Sequence, residues 1–196
     1  MVHEAPMPTA QRPTRRPAAR IPRNMTLERF RRWKPEDGWK YEWVNGQIEK
    51  SERSMTHEQT YIARNLMRRF AQTQAYRDGA EMMTEIDTTM LQGNVRRPDV
   101  AVLTSRQLQG GKMGFPFTPA FAVEIISETD NINKVRQKLR EYFQSGVQVV
   151  WHIFPETQTV DVYTSPLSVQ ICEGAQVCSA APAIPDFQMT ADEVFA

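Results

Sequence analysis

Long apolar runs are missing from this 196-residue sequence, and with them a membrane span, which needs about 18 or more consecutive apolar residues. Cysteine is scarce. Cys172 and Cys178 flank Glu173-Gly174 in an expected hairpin, and no further His or Cys lies near enough in sequence to complete a zinc site. They read as two reduced thiols. Net charge is nearly absent as well, at +1, which by itself marks neither a nucleic-acid binder nor a membrane-surface protein. Hydrophobic residues at 40% and charged residues at 24% fit a soluble globular protein, long enough for one domain with a real core and expected in the cytoplasm.

The small net charge conceals an asymmetry. Residues 1–24 carry Arg12, Arg15, Arg16, Arg20 and Arg23 against Glu4 alone, a local +4, so a total of +1 leaves −3 for the remainder. The same stretch holds Pro6, Pro8, Pro13, Pro17 and Pro22, which deny it a continuous helix, and it lacks the apolar core of a signal peptide. It reads as a disordered basic arm that can clamp phosphates or simply be solvated, ahead of one domain over 25–196.

Along that domain the pattern predicts a short helix from the N-cap Thr26 to Trp33, then a strand over 39–44. Asn45-Gly46 favours a type I′ turn, and a returning strand follows over 47–52. Thr56 and Gln59 have capping-box spacing ahead of a helix over 56–74, with Ile62, Leu66 and Phe70 on its apolar stripe. Arg64, Arg68 and Arg69 fall largely off that stripe, on a solvated face. A strand over 81–91 turns through Gln92-Gly93-Asn94 into a second over 95–103, where Pro98 removes a ladder bond and invites a bulge. Residues 104–119, rich in Gly and Pro, read as a mobile loop. A strand over 120–126, a helix over 131–145 and a strand over 147–154 make a crossover unit if the strands are parallel. A strand over 159–164, the hairpin at Glu173-Gly174 and a short helix after Thr190 complete an α/β (α+β) design.

Two carboxylates interrupt the apolar strands: Asp99 in RRPDVAVL and Glu124 in FAVEIIS. A lone buried carboxylate is costly, so such groups pair, shift their pKa or bind a metal. If the two strands are neighbours, both side chains converge on one Mg²⁺ or Mn²⁺, with the Ile125 backbone carbonyl as a third oxygen. Lys138 shares a helix side with Lys134 and Tyr142, where an ammonium would stabilise the charge of a phosphodiester transition state. The bland alternatives are a surface lysine and a turn-forming aspartate.

The succession YEWVNGQI, MTHEQTYIARNL, RRPDVAV, PAFAVEIISETD, a helix bearing Lys138 and Tyr142, SGVQVVW and IPDFQMTADEVF resembles the Uma-two family. That is a family of restriction-endonuclease-like proteins in the PD-(D/E)XK nuclease superfamily. The resemblance runs from about Met25 to the C-terminus. It implies a central mixed sheet flanked by helices, Asp99 and Glu124 as metal ligands, and a Mg²⁺-dependent DNA endonuclease. The superfamily's usual lysine position, two residues after the second acid, is Ile126 here, and Lys138 matches the variant in which the lysine sits on the following helix. Glu42 matches the acid of the early YEL-type motif and His57 a histidine that opens the long helix; both are site-lining candidates, as is Tyr142. Val149, Val150 and Phe154 replace the family's usual glutamate, tyrosine and aspartate after Gly146-Val147, while Trp151 is kept.

Two other functions use the same fold. One is a non-catalytic nucleic-acid-binding or homodimeric assembly protein, whose acids would stand too far apart or be bridged to Arg96 or Arg97. The other is a phosphodiesterase acting on RNA or nucleotides through a different groove.

Overall fold

The computed structural model describes residues 19–23, 25–52 and 57–196. Most of the basic arm and Thr56 of the expected capping box lie outside the described residues.

The first helix, α1 (Leu27–Arg32), starts where its N-cap predicts, with the Thr26 hydroxyl accepting from the Arg29 N–H. Strands β1 (Trp39–Val44) and β2 (Gln47–Glu52) form a hairpin closed by Asn45 and Gly46, both in the left-handed region that a type I′ turn requires. The apolar stripe of α2 (His57–Phe70) is buried as its spacing predicts. The helix stops short of residue 74, because Thr73 caps a separate short helix, α3 (Gln74–Arg77). The strand expected over 81–91 is two pieces, β3 (Glu81–Thr84) and β4 (Thr88–Thr89), parted near Glu85, whose φ of 50° leaves the extended region. The strand expected over 95–103 is likewise divided at Pro98, into β5 (Val95–Arg96) and β6 (Val100–Leu103). The lost ladder donor produces more than a bulge, since the two pieces join different sheets.

Residues 104–119 are not a loop throughout: Ser105–Lys112 form α4. Thr104 and Gln107 make a capping box, and the helix keeps its two glycines because aromatic rings close over them. A Cβ on Gly111 would stand 3.1 Å from the Phe117 ring. Strand β7 (Phe121–Ile125), helix α5 (Ile132–Gln144, capped by Asn131) and strand β8 (Val149–Phe154) follow in the expected order. The chain then runs through β9 (Thr159–Ser165), β10 (Ser168–Glu173), β11 (Val177–Ser179), β12 (Gln188–Thr190) and α6 (Ala191–Phe195). Glu173-Gly174 does not turn a hairpin. β10 pairs with β9, whereas β11 pairs with β12.

The large sheet has the order β10-β9-β8-β7-β6-β3. β7 and β8 are parallel, with α5 as their crossover, and the other neighbours are antiparallel, which makes the sheet mixed. A smaller sheet has the order β2-β1-β5-β4. Period-two alternation gives the large sheet two unlike faces. Phe121, Val123, Ile125, Trp151 and Ile153 pack with α2, Phe187 and Val194 on one side, where the free thiols of Cys172 and Cys178 are also buried. Ala122 and Val150 meet Leu139 and Tyr142 of α5 on the other. Among the described residues no helix is long and apolar enough to cross a membrane.

Candidate functional site

On the α5 side, alternation along β7 exposes Glu124 to the helix between the inward positions Val123 and Ile125 of the opposite face. The β6–β7 register pairs Val100 with Val123 and Ala101 with Ala122, so its continuation sets Asp99 across from Glu124. The two acids therefore share a face and a level of the sheet. Pro98 contributes by ending the ladder there, and the freed Asp99 carboxylate accepts the Ile125 N–H at 2.8 Å through Oδ2.

Each acid also holds an ammonium. Lys40 from β1 lies 2.8 Å from Asp99 Oδ1, and Lys138 from α5 lies 2.9 Å from Glu124 Oε1. Lys138 bridges onward to Glu42 Oε1 at 3.0 Å, and the Tyr142 hydroxyl donates to Glu124 Oε1 at 2.5 Å. Glu42 is fixed further by the Arg97 N–H at 2.6 Å and by Arg96 at 3.1 Å. Arg96 in turn binds Glu49 and Glu141. Neither Arg96 nor Arg97 is bridged to Asp99 or Glu124; the Arg97 side chain pairs with Asp87. The arginine bridges expected of a degenerate site are thus not the ones found; the cations paired with the two acids are lysines.

Of the residues expected at the site, Glu42, Asp99, Glu124, Lys138 and Tyr142 are brought together, and Ile125 touches Asp99 through its amide. His57 opens α2 as an exposed residue and Lys134 is an exposed residue of α5, with no contact drawing either into this network. Lys40 and His152 are additions. The lysine is 5% exposed, and its partner lies 59 residues away in sequence, so local pattern gives it no signal. His152 is buried on β8 in register with Glu124.

The electrostatics follow from this crowding. Burial opposes the charge of Lys40, but Asp99, Glu124 and Glu42 outweigh it and raise the lysine pKa. Burial likewise pushes Glu42 up, yet Lys138, Lys40 and Arg96 prevail and bring it down to about 2. Glu124 goes the other way: burial, with Asp99 and Glu42 close by, raises its pKa despite Lys138 and Lys40. His152 is lowered to about 4 by burial and then by Lys138, so it is neutral near pH 7. Tyr142 is raised by burial and by Glu124, and stays a proton donor.

A hard divalent cation suits this donor set. Five carboxylates (Glu42, Glu49, Asp99, Glu124 and Glu141) face three cations (Lys40, Arg96 and Lys138), an excess of two negative charges. Both protein contacts to the Glu124 carboxylate fall on Oε1, which leaves Oε2 open among the described residues. Among those residues no three His, Cys, Asp or Glu side chains are grouped as a complete ligand set. A cation here would thus draw on two carboxylates, backbone oxygen and water, the mixture that Mg²⁺ accepts.

Comparison with known proteins agrees with the architecture. The crystal structure of a putative nuclease belonging to DUF820 from Anabaena variabilis ATCC 29413 is similar in fold, with a TM-score of 0.74 at 18% identity over 87% of this chain and 97% of that one. The cryo-EM structure of a DrdV–DNA complex aligns over 50% of this chain and 8% of that chain, at 18% identity and a TM-score of 0.34, too loosely to bear on the fold. No curated protein matches the sequence. The Uma2 family model, described as putative restriction endonuclease, matches residues 27–192, and the chain belongs to that family.

Proposed function

We propose that this protein is a Mg²⁺-dependent DNA endonuclease in which Asp99, Glu124 and the Ile125 carbonyl hold the cation. The observation that carries the reading is the placement of two acids at one level of one sheet face, with an open carboxylate oxygen and a lysine beside them. When bound, the cation acidifies a water and shields charge on the phosphate.

The protein groups supply position and field. Ile125 N–H and Lys40 fix the two oxygens of Asp99, so its carboxylate cannot rotate away. Tyr142 and Lys138 do the same for Glu124 from one side. Lys138 is held between Glu124 and Glu42, where its ammonium faces negative charge developing on a phosphate, a role expected to matter more in this buried setting than in water. Glu42 acts through Lys138, and the Arg96 network keeps Glu42 ionised and in place.

One observation favours a non-catalytic binding protein instead: each acid is paired with an ammonium. Nicking of supercoiled plasmid separates the two. The nuclease reading expects relaxation that needs Mg²⁺ or Mn²⁺ and falls at least about a hundredfold in Asp99→Ala and in Glu124→Ala. Equal nicking by wild type and both variants would rule the site out.

A further inference from the structure

Strand β1 has a second side. Alternation directs Lys40 and Glu42 into the ion network and Trp39 and Tyr41 away from it. On that far side Phe30, Trp33, Trp39 and Tyr41 line a cavity of ≈ 380 Å³, with Arg97 and Asp87 also on its wall. Its size lies at the small end of ligand pockets, which run from about 300 to 1,000 Å³.

The rings are held in place. The Tyr41 hydroxyl donates to Asp37 at 2.7 Å, and the Trp33 ring meets Tyr41 edge-on with centroids 4.7 Å apart. Lys50 stands 4.2 Å over the Trp39 ring. The cavity wall is mixed in charge, with Lys34 and Arg97 against Glu36, Glu85 and Asp87; the positive charge lies beside it on α1, where exposed Arg29, Arg31 and Arg32 stand against Glu28 alone. Arg29 and Arg32 also border a second hollow on α1 that shares Trp33 with the first. The globular part is acidic as a whole, so this concentration of positive charge beside aromatic rings is local.

A fatty or purely apolar ligand makes no use of the charged cavity wall or of the cationic helix beside it. A duplex offers phosphates but keeps its bases stacked and out of reach. An unstacked base supplies a π-face for the rings, edge groups for the Arg97–Asp87 pair and flanking phosphates for α1. We propose that this cavity receives a nucleobase from a single-stranded DNA segment whose phosphates run along α1. Arg97 links the two sites, since its side chain lines the cavity while its N–H binds Glu42. The inference rests on the nuclease reading and narrows it to single-stranded, frayed or flapped DNA.

Binding without metal tests it. The full chain is titrated, at one fixed salt concentration, with a labelled oligothymidine, a strand of abasic residues and a duplex of equal length. Oligothymidine is expected to bind at least about tenfold tighter than the abasic strand, and tighter than the duplex. Trp33→Leu should lose about tenfold in oligothymidine affinity, and Trp33→Phe should recover it. Lys34→Glu, at an exposed site, should weaken all three ligands and flatten the salt dependence. Equal affinity for thymidine and abasic strands overturns the proposal, as does wild-type affinity in a folded Trp33→Leu variant. The wild-type comparison decides even where a variant fails to fold. Mg²⁺-dependent cleavage of supercoiled plasmid and of circular single-stranded DNA, run in parallel, keeps the two readings apart. Cleavage of either DNA without base-dependent binding removes only the pocket, whereas base-dependent binding with neither DNA cleaved keeps the pocket and removes the nuclease.

Discussion

The two faces of the large sheet are made by alternate residues of the same strands, yet they are held together by different forces. On the α2 side, Trp151 stacks on Phe187 at 5.4 Å and Phe121 meets both edge-on, an interior of rings and aliphatic chains. On the α5 side, positions one residue away are Glu124 and His152, both buried, with Lys138 and Tyr142 bound to the Glu124 carboxylate. Burial that stabilises the first face is opposed by desolvation on the second, where every charge needs a partner. The apolar face therefore sets the fold, and the polar face retains groups that a design for stability alone would omit.

The largest expected effect tests the apolar face. Phe187→Ala should lower unfolding free energy by about 3–5 kcal/mol in urea titrations while leaving any nicking by the remaining folded protein intact. A loss under 1 kcal/mol would mean that this face is not the principal core. Next, Lys40→Met strands Asp99 without its ammonium and should cost about 3 kcal/mol in metal-free protein, with part of that recovered by adding Asp99→Asn. Additive losses in the double variant would show that the pair is not coupled.

A similar magnitude is expected from His152 through pH. Its folded pKa of about 4 lies below the ordinary value of 6.5, so the stability tied to its neutral form is complete above pH 6.5 and is lost as pH falls toward 4. About 3 kcal/mol should disappear across that window in wild type and much less in His152→Leu, measured by denaturant titration at several pH values. Identical pH slopes would remove the histidine from the account. The smallest effect lies at the edge of the apolar face, where Thr190→Ala deletes the α6 capping box and should cost about 1 kcal/mol in the same titrations.

Legibility in the sequence followed the same division. The hairpin at Asn45-Gly46, the α2 stripe and the β7–α5–β8 order were readable because each depends on neighbours within a few residues. So was the pairing of Asp99 with Glu124, since acids in apolar strands are conspicuous. Helix α4 was hidden by Gly110 and Gly111, which count as breakers until Phe115 and Phe117 are seen to pack over them. The Glu173-Gly174 turn looked like a hairpin because its pattern says nothing of which strand each arm prefers. Lys40 and His152 were unreadable for a stronger reason: a lysine in an exposed-looking strand and a histidine in an apolar one acquire meaning only from partners that tertiary folding brings to them.

The central claim is that the polar face is a divalent-cation site built on Asp99 and Glu124, and Mn²⁺ binding followed by electron paramagnetic resonance tests it most directly. Wild type should bind Mn²⁺ saturably, with Mg²⁺ competing, and Asp99→Ala and Glu124→Ala should each weaken that binding at least about tenfold. Binding of equal strength in both variants, or none in wild type, would contradict it.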